Sequence, residues 1–483
     1  MSVLKKVLGE SVIYGLSKFI GVFASLLLTP IYTRILSKGD YGIMDIFLTW
    51  NNLLLTILPF GLMGALIRYY PEYKRDIKSM TGTILVFLLV VGGLYCLTLL
   101  SFQETIISGV FNNQITFELY LINIAIVIGS VFFSFSLSIL RCEFKKTIFL
   151  LLSLLNIFLI VTLGFIFVYF DQMGVIGFFR ASLITVVIMN ILGFIAVRKK
   201  IALNWNRTIF RQLFNYSIHV LGVNILFQLV TFLDRKIILN YSSVDQLGIY
   251  AIGAKISSIL NLIFSALLLG WRPRAMTLKD NPDLKKIMQV LHDFSWIALF
   301  PIIFLFFIFN KEIIQFYAPS YNAALLVIFF LSMSIIFIGF NNLFYNTGLL
   351  ILSKTKYITY ASLISISTNT TISILLAPRY GINGVAFGTF VGSFLWVIMQ
   401  YLFNRKLFKI KFNLSKSFFL TSLLLMTYYI FNISSDFYHL LNSFEVIIFK
   451  VIILAIVFVV SIYKIKQMLS KKSNSIVLQN ILQ

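Results

Sequence analysis

SVIYGLSKFIGVFASLLLTPIY (Ser11–Tyr32), running on through TRILSKGDYG to Gly42, is the stretch that decides how the rest of the chain is read. Its first part is long enough to cross a bilayer, since a spanning helix needs about 20 mainly apolar residues. Its polar residues are not scattered. Ser11, Tyr14, Lys18, Gly21, Ser25, Thr29 and Tyr32 recur at spacings of three and four, which places them on one narrow helical face. One of them is a lysine well inside the apolar run. An ionisable group there is costly unless it faces protein or water. The helix is therefore expected to have a lipid side and a wet side.

The pattern returns half a chain later. A shift of 206 residues carries Ser11 to Ser217, Lys18 to Asn224, Ser25 to Thr231, Thr29 to Arg235 and Gly42 to Gly248. A second anchor agrees: Tyr169, Gly174 and Gly177 match the stretch around Tyr380, Gly381 and Gly384, with an offset of 207 between glycines. Two anchors at nearly one offset indicate a duplicated half. Chance likeness between two apolar helices is the alternative, and the loop residues argue against it better than the apolar ones do.

Composition places the chain in the membrane. Hydrophobic residues make up 59% and charged residues 12%, against about 45–50% and 25% in soluble domains. The net charge of +23 invites a nucleic-acid reading, which its distribution rejects. Lys and Arg crowd into alternate connections: Arg68–Lys78, Arg141–Lys146, Arg198–Arg211, Arg272–Lys286, Lys354–Lys356, Arg405–Lys416 and Lys464–Lys472. The intervening connections hold only Arg34, Lys38, Lys311 and Arg379. This positive-inside bias predicts that both termini are cytoplasmic, with attraction to anionic membrane lipids as a secondary effect. Cys96 and Cys142 give neither a disulfide framework nor a metal motif. No cleavable leader is evident, and the first span is read as retained.

The expected fold is an all-α polytopic membrane protein of about 14 transmembrane helices. Hydropathy places them near 11–32, 41–66, 81–102, 117–140, 147–170, 175–197, 213–239, 248–271, 289–309, 322–346, 357–377, 384–403, 415–432 and 446–463. Six spans separate the repeats, so the two six-helix lobes form a parallel pseudo-repeat. They are assigned to residues 1–205 and 206–412, followed by two extra C-terminal helices and a cytoplasmic tail at 413–483. No connection is large enough to carry the acid–base groups of an outer-face glycan enzyme.

Polar groups inside the spans mark the candidate site. Asp45, Thr49, Asn52, Thr56 and Pro59 share a face of span 2, and Lys255, Ser258 and Ser265 a face of span 8. A central cavity between the halves, lined by spans 1, 2, 7 and 8, is the simplest geometry. Lys18, Asn224, Lys255 and Arg235 would line it, with Asp45 and Asp234 near its outer end, and Arg180 inside span 6. A cationic wet cleft suits an anionic cargo. Asp234 and Arg235 also read as a local interfacial ion pair, and Arg180 as a snorkelling residue. His219 is a proton-coupling candidate or a structural histidine. His292-Asp293 reads as helix-end chemistry at the start of span 9, and Pro30 and Pro59 as bends in spans 1 and 2. No phosphate loop, metal-ligand spacing or nucleophile elbow occurs, so neither cofactor nor metal is expected.

LLLTPIYTRILSKGDYGIMDIF (Leu26–Phe47), with its Thr-Pro, Arg-Ile-Leu and Asp-Tyr-Gly, resembles the first-hairpin signature of the polysaccharide biosynthesis exporters. So does Tyr380–Ala386, YGINGVA. These are the O-antigen and capsule repeat-unit flippases of the multidrug/oligosaccharidyl-lipid/polysaccharide superfamily. The resemblance implies two six-helix lobes in a V, a cationic cavity and alternating access. It further implies ion-coupled movement of an undecaprenyl-diphosphate-linked oligosaccharide to the outer leaflet of a bacterial cytoplasmic membrane. Its basic cavity residues would be Lys18, Lys255 and Arg235. Expected partners are the lipid-linked oligosaccharide and membrane lipids, then a glycan polymerase and chain-length regulator, with no nucleic acid. Three readings stay beside it: a flippase for a cell-wall precursor or teichoic-type lipid, a drug/sodium antiporter, and a membrane glycan polymerase.

Overall fold

A computed structural model describes residues 20–410, 412, 414–428, 430–431 and 443–470, without the side chains of 219, 220, 223, 224, 414–419, 443, 444 and 469. The described chain is helical, with no strand among those residues. The helices are α1 (Ile20–Ile35), α2 (Lys38–Ile57), α3 (Leu62–Tyr73), α4 (Ile77–Ser101), α5 (Gln103–Gly109), α6 (Phe117–Cys142) and α7 (Lys146–Phe165). Then come α8 (Gly174–Val197), α9 (Arg207–Tyr241), α10 (Val244–Thr277), α11 (Leu284–Ile308), α12 (Asn310–Tyr317), α13 (Leu325–Phe340) and α14 (Asn346–Ile351). The last are α15 (Thr355–Leu407), α16 (Leu414–Tyr428) and α17 (Ser443–Ser470).

Nine helical stretches among the described residues are long and apolar enough to cross a membrane, and two of these, Lys38–Ser101 and Thr355–Leu407, are long enough to cross twice. Within the described residues, each of the fourteen expected spans falls on helix; residues 11–19 of the first and 429 and 432 of the thirteenth lie outside them. The chain is a polytopic all-α membrane protein.

Local chemistry sets the ends of these helices. Ser37 caps α2: its Oγ accepts from the Asp40 amide at 3.0 Å and donates to the Asp40 carboxylate at 2.8 Å. Span 2 is not one straight helix. Pro59 has no amide proton, and Phe60 and Gly61 follow it at φ 46° and 74°, so the chain breaks between α2 and α3. A side chain on Gly61 would strike the Ser217 carbonyl oxygen of α9 at 2.9 Å. Pro30, by contrast, is accommodated within α1. Near residue 381 the chain turns at Gly381, φ 53°, inside α15, where a side chain would be strained.

By contacts the chain divides into two compact units. The first runs to Ala251 and includes Ala377–Ile382; the second holds Ile252–Leu376 and residues from Asn383 onward. The division falls inside α10, whereas the 206-residue offset concerns duplication and is a separate matter. In the first unit α8 packs on α6 and α7, and α9 packs on α2, α3 and α4. Its core holds Ala65, Leu66, Met80, Val127, Met189 and Leu213. In the second unit α11 packs against α16 and α17.

Thr29 and Tyr32, read from sequence as wet, are buried in the first unit. Thr29 Oγ1 donates back to the Ser25 carbonyl at 2.8 Å, and the Tyr32 ring meets Phe178 edge-on. At this end the α1 stripe is a packing face.

The segment joining α8 to α9 is strapped onto α4. Thr81 Oγ1 donates to the Lys200 carbonyl at 2.7 Å, and the Asn206 amide donates to Thr83 Oγ1 at 3.1 Å. Between them the chain passes over Gly82, where any side chain would collide with Ala202 and Asn204. Lys200 Nζ pairs with Glu143 Oε2 at 2.6 Å, while Tyr70 donates to Glu143 Oε1 at 2.8 Å. Burial alone would raise the Glu143 pKa, but the hydrogen bonds from Lys200 and Tyr70 and the Lys200 charge override it and hold the carboxyl below its usual value.

Two predictions follow from this packing. Because Glu143 titrates lower in the folded chain, the strap is stabilised above the ordinary carboxylate range and loosens as pH falls through the depressed value. Limited trypsin digestion after brief acid exposure, read at Arg198–Lys200, is expected to show cleavage rising in acid. Glu143→Gln should be cleaved readily at neutral pH with little further acid effect. The second concerns Gly248, where a Cβ would overlap the Lys38 carbonyl. Gly248→Ala is expected to destabilise by about 1–3 kcal/mol through overpacking. Gly93→Ala, with nothing within 4 Å, should leave the thermal midpoint in detergent unchanged or higher.

Candidate functional site

The polar groups of the first unit converge where α9 turns into α10. That turn brings α2 and the start of α10 together at Gly42 and Gly248, the two glycines related by the 206-residue offset. A Cβ on Gly42 would lie 2.5 Å from the Val244 carbonyl oxygen and 2.9 Å from the Gly248 amide nitrogen. Gly39, one turn earlier, faces Asp245. Only backbone fits at this crossing, so α2 lies close enough for its next inward residue, Asp45, to reach α9.

Arg235 of α9 fills that position. Its Nε donates to Asp45 Oδ2 at 2.9 Å, with the two side chains 8% and 19% exposed. An Nη donates to the Thr231 carbonyl at 3.3 Å, and the guanidinium lies 5.2 Å from the centre of the Tyr250 ring. Tyr250, fully buried, donates its hydroxyl to Asp234 Oδ2 at 3.1 Å. Asp234 and Arg235, neighbours in sequence, thus reach different partners: Arg235 crosses to α2 and Asp234 takes a phenol from α10.

Lys236 closes the far side. Its ammonium donates to Asn112 Oδ1 at 2.6 Å, and Asn112 Nδ2 donates to the Leu239 carbonyl at 3.0 Å, capping the end of α9. Asn112 and Asn113 sit at φ 51° and 59°, a region that asparagine tolerates better than most residues. Beside them Phe111 stacks on Phe47 at 4.7 Å, and Trp50 packs on Phe232 at 5.3 Å. These rings pack beside the charged pair within the same unit, in an apolar setting where charge pairing counts for more than in water.

Arg180 is half-exposed on α8 and donates to Glu118 of α6 at 2.6 Å. Lys255 is half-buried on α10 in the second unit, and its carbonyl accepts from Ser258 Oγ at 2.6 Å. Lys18 lies outside the described residues. His219 and Asn224 are on α9, but their side chains lie outside the described set. Tyr250 and Asn112 were not singled out by the sequence. Tyr250 follows Gly248 by two residues and Asn112 sits in an Asn-Asn turn, yet neither pattern says which charge it will meet.

The site is thus a buried, paired cation beside a glycine crossing, in a bundle of apolar helices with polar faces. The fold is shared with solved membrane proteins. The chain superimposes on the lipid II flippase MurJ, in an inward closed conformation, with a TM-score of 0.70, covering 94% of this chain and 98% of that one at 17% identity. It also superimposes on an inward-facing multidrug resistance MATE family transporter of the MOP superfamily, with a TM-score of 0.60, covering 82% and 94% at 14% identity.

By sequence, residues 31–326 match the family described as Polysaccharide biosynthesis protein, and the chain belongs to it. An uncharacterized membrane protein of Methanocaldococcus jannaschii is 25% identical over 94% of this chain and 96% of its own length. Another, from Haemophilus influenzae, is 26% identical over 55% of this chain and 63% of its own length. The chain thus combines membership of a polysaccharide biosynthesis family with a fold shared by membrane transporters.

The Arg235–Asp45 pair yields a stability prediction. Asp45→Ala strands the buried guanidinium and is expected to cost up to about 3 kcal/mol, the low end for a broken buried pair, because Asp45 keeps some contact with solvent. Adding Arg235→Met should cost less than the two single changes summed, giving a positive coupling in a double-mutant cycle of thermal midpoints. Strict additivity would show that the pair contributes nothing.

Proposed function

We propose that this protein is a flippase that moves an undecaprenyl-diphosphate-linked oligosaccharide, the repeat unit of an O-antigen, capsule or exopolysaccharide, from the cytoplasmic to the outer leaflet. The observation that carries the reading is membership of a polysaccharide biosynthesis family in a chain that shares the fold of a lipid flippase over 94% of its length. The protein would sit in a bacterial cytoplasmic membrane with both termini inside, as the basic connections require. The two repeats, 1–205 and 206–412, would alternate access, with an ion gradient driving the cycle and 413–483 as an appendage.

The physics suits such a cargo. A diphosphate-sugar head cannot enter hydrocarbon, while its polyprenyl tail need not leave it. Lys18, Lys255 and Arg235 are assigned to hold the diphosphate or an acidic sugar by charge-assisted hydrogen bonds. α2 and α9 belong to different repeats, so the Arg235–Asp45 pair is assigned as a latch at the outer end. The glycan polymerase and chain-length regulator are assigned as downstream partners.

A second reading, a flippase for a cell-wall precursor or teichoic-type lipid, is favoured by the higher score against the lipid II flippase than against the MATE transporter. Deleting the gene and locating the glycan lipid that accumulates separates the two. Complete repeat units on the cytoplasmic face are expected, and an accumulated cell-wall precursor would establish the second reading. Single repeat units collecting at the outer face would show that flipping is intact without this protein and favour a polymerase. In the complemented strain, Lys18→Ala and Lys255→Ala are each expected to cut export at least about tenfold, the effect of losing one contact worth about 1.4 kcal/mol. Normal export at normal protein level in the double variant would remove these lysines from the binding role.

A further inference from the structure

The second unit carries a group that the reading above does not use. His292 on α11 is fully buried. Its Nδ1 lies 3.3 Å from Asp293 Oδ1 and its Nε2 3.3 Å from the Tyr345 hydroxyl. The rings of Phe344 and Phe412 flank it at 5.2 and 4.9 Å, and Phe340 at 6.1 Å. Besides Asp293 and Tyr345, titratable groups on the described elements around this box include Tyr401 of α15 and Lys285 of α11. The Tyr401 ring meets that of Tyr345 at 5.8 Å, and Lys285 lies over the Phe408 ring at 5.9 Å.

Tyr345 is not on ordinary helix. Asn341–Tyr345 is a π-helical turn joining α13 to α14, a form that is rare and tends to occur at functional positions. Three of its carbonyls are held by side chains. Thr347 Oγ1 donates to Asn342 at 2.8 Å, Trp271 Nε1 of α10 to Leu343 at 2.7 Å, and Asn404 Nδ2 of α15 to Tyr345 at 2.7 Å. The turn is therefore a joint on which α10, α11 and α15 all pull.

Around the same joint, hydrogen-bonding capacity goes unused. Asn341 and Gln400 are fully buried with both amide atoms unpartnered, and the buried Asn404 has its Oδ1 unpartnered, among the described residues. Buried orphan groups are rare and costly, about 1–3 kcal/mol each. Several of them at one joint indicate a second arrangement in which they are satisfied.

We propose that His292 is a proton-binding switch: its protonation reorders the π-helical joint between α13 and α14. With a neutral ring, Nδ1–H donates to Asp293 and Nε2 accepts from the Tyr345 hydroxyl. A proton taken from water onto Nε2 turns that atom into a donor. Tyr345 must then accept, and its own hydroxyl proton has to turn to another acceptor. The imidazolium stays neutralised by Asp293, so the ring can charge without leaving the box. The polarity of the His292–Tyr345 bond inverts, and the inversion is delivered to the joint through Tyr345. The proposal rests on the flippase reading only for its use, which is to supply the proton-driven step of the cycle.

Hydrogen–deuterium exchange of the full-length protein in lipid nanodiscs, without cargo, tests it. Protection factors for peptides covering residues 340–352 are followed from pH 5 to 8. A change of about threefold or more across that window, in which an imidazole can change charge, is expected in the wild type and absent in His292→Gln and in Tyr345→Phe. Peptides from α2 and α9 should show no matching transition. A flat wild-type profile overturns the proposal, and so does a transition that survives in His292→Gln. If that variant does not fold, Tyr345→Phe, which keeps the ring, decides: a surviving transition there overturns it equally. Because no cargo is present, failure here leaves the flippase reading standing, and failure of the deletion experiment leaves the switch standing.

Discussion

A guanidinium inside a bundle of membrane helices has to be met by a carboxylate, and the rest of the first unit is arranged so that Arg235 meets Asp45. Taking either charge out of water costs several kcal/mol, and only close pairing recovers it. Close pairing in turn needs α2 and the start of α10 near backbone contact, which is why Gly42 and Gly248 face each other there. The aromatic group around Phe47, Phe111, Trp50 and Phe232 packs beside the pair. Asn112 then takes Lys236, the next cation along α9. The charge pair, the glycine crossing, the aromatic group and the asparagine turn thus occupy one region of the first unit.

The parts of this arrangement that follow from chain-long patterns were legible in the sequence. Hydropathy located the long helices, because a bilayer imposes one length on every span. Gly42 and Gly248, 206 residues apart, face each other in the structure, a contact that concerns packing and not duplication. What was not legible is which surface covers a polar face. A stripe at helical spacing reports that one side differs, not whether water or protein lies against it. Thr29 and Tyr32 read as wet and are packed. His292 read as helix-end chemistry and is enclosed in an aromatic box. Pro59 read as a bend and its span does break there, but the need for glycine at position 61 comes from the Ser217 carbonyl of α9, and the partner of Arg235 lies 190 residues away. These last two are long-range facts that local periodicity does not carry.

Buried polarity takes two forms. Full charges are paired in both units, Arg235 with Asp45 in the first and Lys450 with Glu312 at 2.6 Å in the second, and such pairs hold tightly and exchange partners only when another ion replaces one of them. The π-helical turn of the second unit instead gathers amides, phenols and an imidazole beside one carboxylate, several of the amides unsatisfied. Neutral groups cost less to rearrange than a charge pair. A tight latch and a soft joint are different mechanical elements, suited respectively to holding one state and to passing between two.

On the proposed reading the pair also bears on how cargo and opening would be connected. Arg235 gives its Nε to Asp45 and one Nη to the Thr231 carbonyl, and Asp45 already neutralises its charge. A diphosphate would carry the same charge sign as Asp45 and offer the same oxygen acceptors, so the two would compete for one cation. Each phosphate–Arg235 bond formed would then remove a reason for α2 to stay against α9, and each restored Asp45–Arg235 bond a reason for the cargo to stay. Binding would not need to be weak to allow release, because the protein would supply its own carboxylate as the displacing anion.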